Sequence, residues 1–268
     1  MKKLSNFKKK FENNPIIYLF GLFLSIALAI PAGLESYNLV QKTYYNSIGW
    51  KESEEMLINK LSPNQSIDFF NSVLGTPELV DSGEKFIDNI YRRKGYWLQA
   101  VHDRDGKVLL MSITVCSPNF YPKINNTPLY EPIVIGKDTM YSIASENFTP
   151  HYFISGATAP TYLIDEIPSS NPTKYQNLYF GINDACNFDP KNILADSYYY
   201  DSFTPLKVVD TKSPKVEYLR ENMPVNTIAI TAPFTKIEDL RSDFFIGVDR
   251  NELRVLPAYT DEFLQTKF

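Results

Sequence analysis

Residues 13–34 carry no charged side chain, and this stretch constrains the chain more than any other. Its centre reads Pro15-Ile16-Ile17-Tyr18-Leu19-Phe20-Gly21-Leu22-Phe23-Leu24-Ser25-Ile26-Ala27-Leu28-Ala29-Ile30. Pro15 to Leu34 is 20 residues, roughly 30 Å as a helix, the thickness of a bilayer's hydrocarbon core. Asn13 and Asn14 offer capping oxygens and Pro15 suits a first turn. A buried core helix of this length would show a polar face, and none is present. The sequence therefore predicts a transmembrane helix over 15–34. Lys2, Lys3, Lys8, Lys9 and Lys10 precede it, against Glu12 alone. The positive-inside bias then puts a basic tail, 1–14, in the cytoplasm and the body outside, in a bacterial inner membrane. The rival reading is a cleaved signal peptide at Ala27-Leu28-Ala29, but the apolar run exceeds the usual signal core.

Charge separates tail from body. The chain holds 27 basic and 31 acidic residues; without the five Lys and one Glu of residues 1–34, 22 and 30 remain, a net of −8. An acidic body argues against nucleic acid as a partner, since phosphate contacts require a basic face. The basic tail is explained by topology and anionic lipid. With 44% apolar and 14% aromatic residues, the body can bury a large core. Eighteen Tyr, 18 Phe and only 11 Gly favour strands. Two cysteines exclude both a disulfide-stapled mini-fold and a four-cysteine zinc site, and two histidines are too few for a three-histidine metal site.

Residues 35–60 read as a juxtamembrane helix, with Tyr37, Tyr44, Tyr45 and Trp50 near the membrane edge. Ser62-Pro63 then opens a short helix with Ile67, Phe70, Val73 and Leu74 on one side, ended by Gly75 and Pro77. Strands follow at Phe86–Tyr91, Tyr96–His102 and Lys107–Cys116, the last two joined by Asp103-Arg104-Asp105-Gly106, a hairpin signal. A loop-rich stretch holds Pro118, Pro122, Pro128 and Pro132. A second short helix is expected at Thr139–Glu146, and strands at Tyr152–Ser155, Pro160–Ile167 and Tyr175–Asn183. Residues 190–200 read as helix, Val225–Thr231 and Phe244–Val248 as strands, and Leu253–Leu256 as a return strand. Helix-then-strands thus occurs twice, which predicts an α+β, antiparallel-sheet body of two related modules, 61–132 and 133–268.

The segment Leu61-Ser62-Pro63-Asn64-Gln65-Ser66-Ile67-Asp68-Phe69-Phe70-Asn71-Ser72-Val73-Leu74-Gly75-Thr76-Pro77 resembles the opening helix of a known module. It is similar to the small lipoproteins of the outer-membrane barrel assembly machinery and to β-lactamase-inhibitor-protein-like repeats. There a short amphipathic helix ends in Leu-Gly-x-Pro, and an antiparallel sheet with an Asp-Gly hairpin follows. Leu74-Gly75-Thr76-Pro77 and Asp105-Gly106 match that layout, over residues 61–116. The lipidated cysteine is absent, and Ser62-Pro63-Asn64-Gln65 stands where Gly-Met-Thr is usual. The resemblance therefore implies a fold for this segment and no assembly activity. The whole layout also resembles uncharacterised single-span bacterial membrane proteins, with a second half opening near Ile135-Gly136-Lys137.

Candidate chemistry is sparse. Cys116 and Cys186 form a candidate disulfide outside the cytoplasm, the alternative being two buried thiols. His102 beside Asp103, or His151, could begin an acid–base pair, though a strand-end histidine beside a turn is the commoner arrangement. Asp103-x-Asp105-Gly106 lacks the later ligands of a calcium loop. Asp184, Asp189 and Asp196, with Asp165 and Glu166, could gather as an acidic cleft or simply be acidic surface. No phosphate loop, dinucleotide fingerprint, zincin helix or nucleophile elbow is present in the sequence. No catalytic residue, metal or cofactor is therefore assigned. Tyr198-Tyr199-Tyr200 is the candidate partner-binding segment, because three consecutive tyrosines cannot easily all face a core. The expected function is a membrane-anchored, extracytoplasmic binding or scaffolding protein, with a protein partner or a homo-oligomer. The alternatives are a hydrolase with an unlocated site and a membrane effector of a mobile-element or defence locus.

Overall fold

The structure is a computed structural model that describes residues 49–144, 148–154, 162–168, 175–183, 185, 214–240, 246–249 and 253. The chain forms two compact units, 1–53 and 54–268. The body is α+β, built on one large antiparallel sheet. Its helices are α1 (Trp50–Ile58), α2 (Ile67–Leu74), α3 (Met140–Ala144), α4 (Pro214–Asn222) and α5 (Ile237–Leu240). Strands β1 (Leu79–Ser82), β2 (Phe86–Arg93), β3 (Tyr96–Asp103) and β4 (Val108–Val115) form a meander. Strands β7 (Thr149–Ile154), β8 (Tyr162–Ile167) and β9 (Leu178–Asn183) form another, and β10 (Thr227–Thr231) completes the sheet. The order is β1-β2-β3-β4-β10-β9-β8-β7, every pair antiparallel. Strands β5 (Lys123–Ile124) and β6 (Ile133–Val134) pair separately.

Local sequence explains the first meander. Ser66 caps α2 by accepting from Phe69 N (3.2 Å), and Gly75 ends it at φ +90° while donating to Asn71 O (2.9 Å). The hairpin between β3 and β4 is shaped by Asp103, whose Oδ1 accepts from Asp105 N (3.0 Å) and Lys107 N (2.8 Å). Ile67 N donates to Gly106 O (2.7 Å), which fastens the start of α2 to that turn.

The membrane placement is corrected at this point. Among the described residues no helix is long and apolar enough to cross a membrane. The longest have nine residues, about 14 Å of rise against the roughly 30 Å required. Residues 15–34, which carried the expectation of a single-pass anchor, lie outside the described residues. The inner-membrane localisation thus has no described helix beneath it and is withdrawn.

Two strand readings also change. Phe244–Val248 was expected to join the sheet, yet Ile246–Val248 belong to no strand, and Leu253 has helical geometry. The predicted helix at 190–200 lies outside the described residues.

Candidate functional site

Alternation along the strands gives the sheet two faces. One carries Tyr91, Arg93, Leu98 and Asp165, related through the register of neighbouring strands. Helices dock there: Tyr91 Oη donates to Asn71 Oδ1 (2.8 Å) of α2, and Arg220 of α4 pairs with Asp165. The opposite face carries Gln99, Ser112, Thr114, Thr227 and Asn183, flanked by apolar residues. Each of these five polar residues is buried.

The segment Ile246–Asp249 crosses this second face as a strap, and Ile237 and Leu240 of α5 pack there in the same cluster as Ile246. Gly247 N donates to Gln99 Oε1 (2.8 Å), and Asn183 Nδ2 donates to Val248 O (3.0 Å). Both amides are aimed from behind. Gln99 Nε2 donates to Asp88 Oδ2 (2.6 Å), so Oε1 must face the strap. Ala185 N donates to Asn183 Oδ1 (2.8 Å), which leaves Nδ2 for the strap. Asn226 holds the backbone of Asn183 in a bidentate grip, accepting from its N (2.8 Å) and donating to its O (2.7 Å). Gly247 lies at φ +81°, and a Cβ there would sit 2.8 Å from Asn183 Nδ2 and 3.1 Å from Thr114 Oγ1. The strap's side chains enter two different apolar clusters. Ile246 packs with Val101, Leu110, Ile164 and Tyr179, and Val248 with Ile90 and Trp97. A polar stripe between two apolar basins therefore reads the chain as apolar, glycine, apolar.

Charged clusters stand on the helix side. Arg220 Nε and Nη2 bond both oxygens of Asp165 (2.6 and 2.8 Å), with both side chains sealed from solvent. Nη1 bonds Glu217 (2.8 Å), which also accepts from Tyr141 Oη (3.0 Å). The guanidinium lies over the ring of Phe148 at 5.0 Å. Burial alone would lower the Arg220 pKa, but the hydrogen bonds and charges of Asp165 and Glu217 leave it raised. Arg93 is similar: burial lowers it, Glu54 (2.8 and 3.0 Å) outweighs that, and Leu74 O accepts a third bond (3.1 Å). Tyr96 donates to the same Glu54 (2.9 Å), and its phenol is held well above its ordinary pKa, by burial first and the Glu54 charge second.

The structure separates the residues that sequence grouped for chemistry. His102 Nδ1 donates to Asp103 O (2.7 Å), while the Asp103 carboxylate shapes the turn, so no acid–base pair forms between these side chains. Asp165 and Glu166 are on opposite faces of β8: one is locked to Arg220, the other accepts from Tyr179 Oη (3.0 Å). They do not converge on one cleft. Asp184, Asp189, Asp196 and Tyr198, Tyr199 and Tyr200 lie outside the described residues, as does the His151 side chain. Cys116 is disulfide-bonded; Cys186, the chain's other cysteine, lies outside the described residues. Neighbouring Ala185 packs in the same apolar cluster as Cys116. Sequence reading missed Gln99, Asn183 and Gly247. Their signal was an amide inside an otherwise apolar strand, and a glycine between two aliphatic residues. It also missed an exposed aromatic pair, Tyr175 stacked on Phe234 with ring centroids 4.5 Å apart, both at positive φ.

No family model and no curated protein matches the chain. Among solved structures, it is similar to a cysteine-rich secretory protein from Staphylococcus aureus subsp. aureus Mu50, at 10% identity and a TM-score of 0.33. The likeness covers 70% of this chain and 48% of that one, so this chain spans about half of that protein's length. At that TM-score the likeness decides nothing about fold or function.

Proposed function

We propose that this protein works by contact, as a non-catalytic binding or scaffolding module with a protein partner. One observation carries the reading: Gln99 and Asn183, each with its other amide end already bonded, hold the main chain of Gly247 and Val248 against a sheet face. Amide side chains placed this way recognise main chain, which any polypeptide offers. The body is read as two related modules. Helix α2 precedes β1–β4, α3 precedes β7–β10, and the fourth strand of each set meets the other at the centre of the sheet. Joining two such sets edge to edge makes one face wide enough for a segment to cross both.

The test is photocrosslinking of the full chain in its native cells, from a photoreactive residue at Leu109, which borders the Ile246 cluster. The expected result is a discrete partner or homo-oligomer band. Gln99→Ala with Asn183→Ala should remove it while circular dichroism stays native, and His102→Ala should leave it intact. A yield unmoved by the pair would overturn the reading, as would a phenotype lost with His102→Ala alone.

A further inference from the structure

The strap occupies the face on terms that a segment from another chain could meet. The Gln99 and Asn183 side chains reach the N–H of Gly247 and the C=O of Val248, groups without sequence identity. Selectivity comes from three positions. Gly247 is demanded by φ +81° and by the nearness of Asn183 Nδ2 and Thr114 Oγ1. Ile246 and Val248 are each about fully buried, in separate clusters. The strap joins no strand, so its exchange leaves the ladder of the eight-stranded sheet whole. The receiving groups have a second hold, because Asp88 Oδ2 and Ala185 N bond the other ends of the Gln99 and Asn183 amides.

We propose that Ile246-Gly247-Val248 is an internal stand-in for a partner's segment, and that the face exchanges it for an apolar–glycine–apolar segment in trans, with the glycine left-handed. This rests on the reading of the face as a binding surface and names its ligand class. The strap is a competitor present at the high effective concentration of a tether, so it sets how much of an outside segment can bind. Weakening the strap therefore strengthens binding in trans, whereas removing a receiving amide weakens it.

The experiment uses the purified full chain and a fluorescent peptide with the sequence of residues 244–252, read by anisotropy. Gly247→Val in the protein strains the strap and should tighten peptide binding by about tenfold over the unaltered chain. The same change made in the peptide should abolish its binding. Ile246→Ala in the protein, which loosens one anchor without backbone strain, should tighten binding in the same direction and covers the case that Gly247→Val fails to fold. Gln99→Ala should weaken binding to every form. Peptide that binds neither chain, or both alike, or that tolerates valine in place of its glycine, overturns the exchange. If the peptide fails while the Gln99→Ala, Asn183→Ala pair still removes the crosslinked partner, the face binds another ligand; if both fail, both readings fall.

Discussion

Asp165 and Arg220 show how much one residue can hold in this body. Both side chains are closed to water, and the guanidinium spends both its Nε and Nη2 protons on one carboxylate. Removing one partner leaves a buried charge, so Asp165→Ala should cost about 3–5 kcal/mol in urea denaturation. Asp165→Leu with Arg220→Met replaces the pair by apolar volume and should cost clearly less than either single change. A double variant as damaging as the summed singles would mean that the two side chains contribute independently, and would overturn the account of the single losses as the burial of a lone charge. Trp97 makes the simpler case: it is 1% exposed in the cluster that receives Val248. Trp97→Ala should cost about 3–5 kcal/mol. A loss below about 1 kcal/mol would mean that the cluster collapses around the gap.

At the scale of elements, the Glu54, Arg93 and Tyr96 knot ties α1 to β2 and β3, and through Leu74 O to α2. The raised Tyr96 phenol gives this knot a pH signature. The folded chain keeps the phenolic proton where the unfolded chain loses it, so the contribution is intact below about pH 10 and falls as pH rises beyond. Tyr96→Phe should flatten the fall in urea midpoint between about pH 9 and about pH 11; a slope unchanged by the substitution would remove Tyr96 from the account. Tyr91, also raised by burial, adds slope of the same sign. Most elements around this knot were legible because their signals are local. Ser66 and Gly75 punctuate α2, Asp105-Gly106 marks the hairpin, and β3 and β4 were placed to within a residue. Helix α4 was not legible: Pro-Lys-Val-Glu-Tyr-Leu-Arg-Glu-Asn is mostly polar, and its purpose shows only when Arg220 meets Asp165, 55 positions away. The strap was misread for the reverse reason. Phe-Phe-Ile-Gly-Val has the composition of a strand, but a left-handed glycine pressed on other strands' side chains leaves Ile246–Val248 outside the ladder. The polar stripe was invisible because its amides come from β3 and β9, which only the sheet order brings together.

Within residues 54–268 the two sets of strands meet at a seam where β4 and β10 pair, from Thr227↔Thr114 to Thr231↔Leu110. Thr227 Oγ1 donates to Thr114 Oγ1 (3.0 Å) across it, beneath Gly247. A continuous ladder through the centre makes the two sets of strands one cooperative structure. The disulfide at Cys116 adds a covalent tie just after β4. With Cys186 as its partner, it would close a loop with 69 residues between the cysteines, worth about 4 kcal/mol on chain-entropy grounds. Non-reducing peptide mapping should recover the Cys116–Cys186 link within one chain. Reduction should then lower the unfolding midpoint yet leave a single transition, because the seam remains. It should also speed hydrogen exchange at the Gly247 amide, since Cys116 and Val248 share one apolar cluster and loosening one side of it frees the strap. Two separate transitions after reduction would mean that the bridge, rather than the β4–β10 ladder, unites the body. Exchange at Gly247 unmoved by reduction would mean that Gln99 and Asn183 secure the strap without help from the cluster.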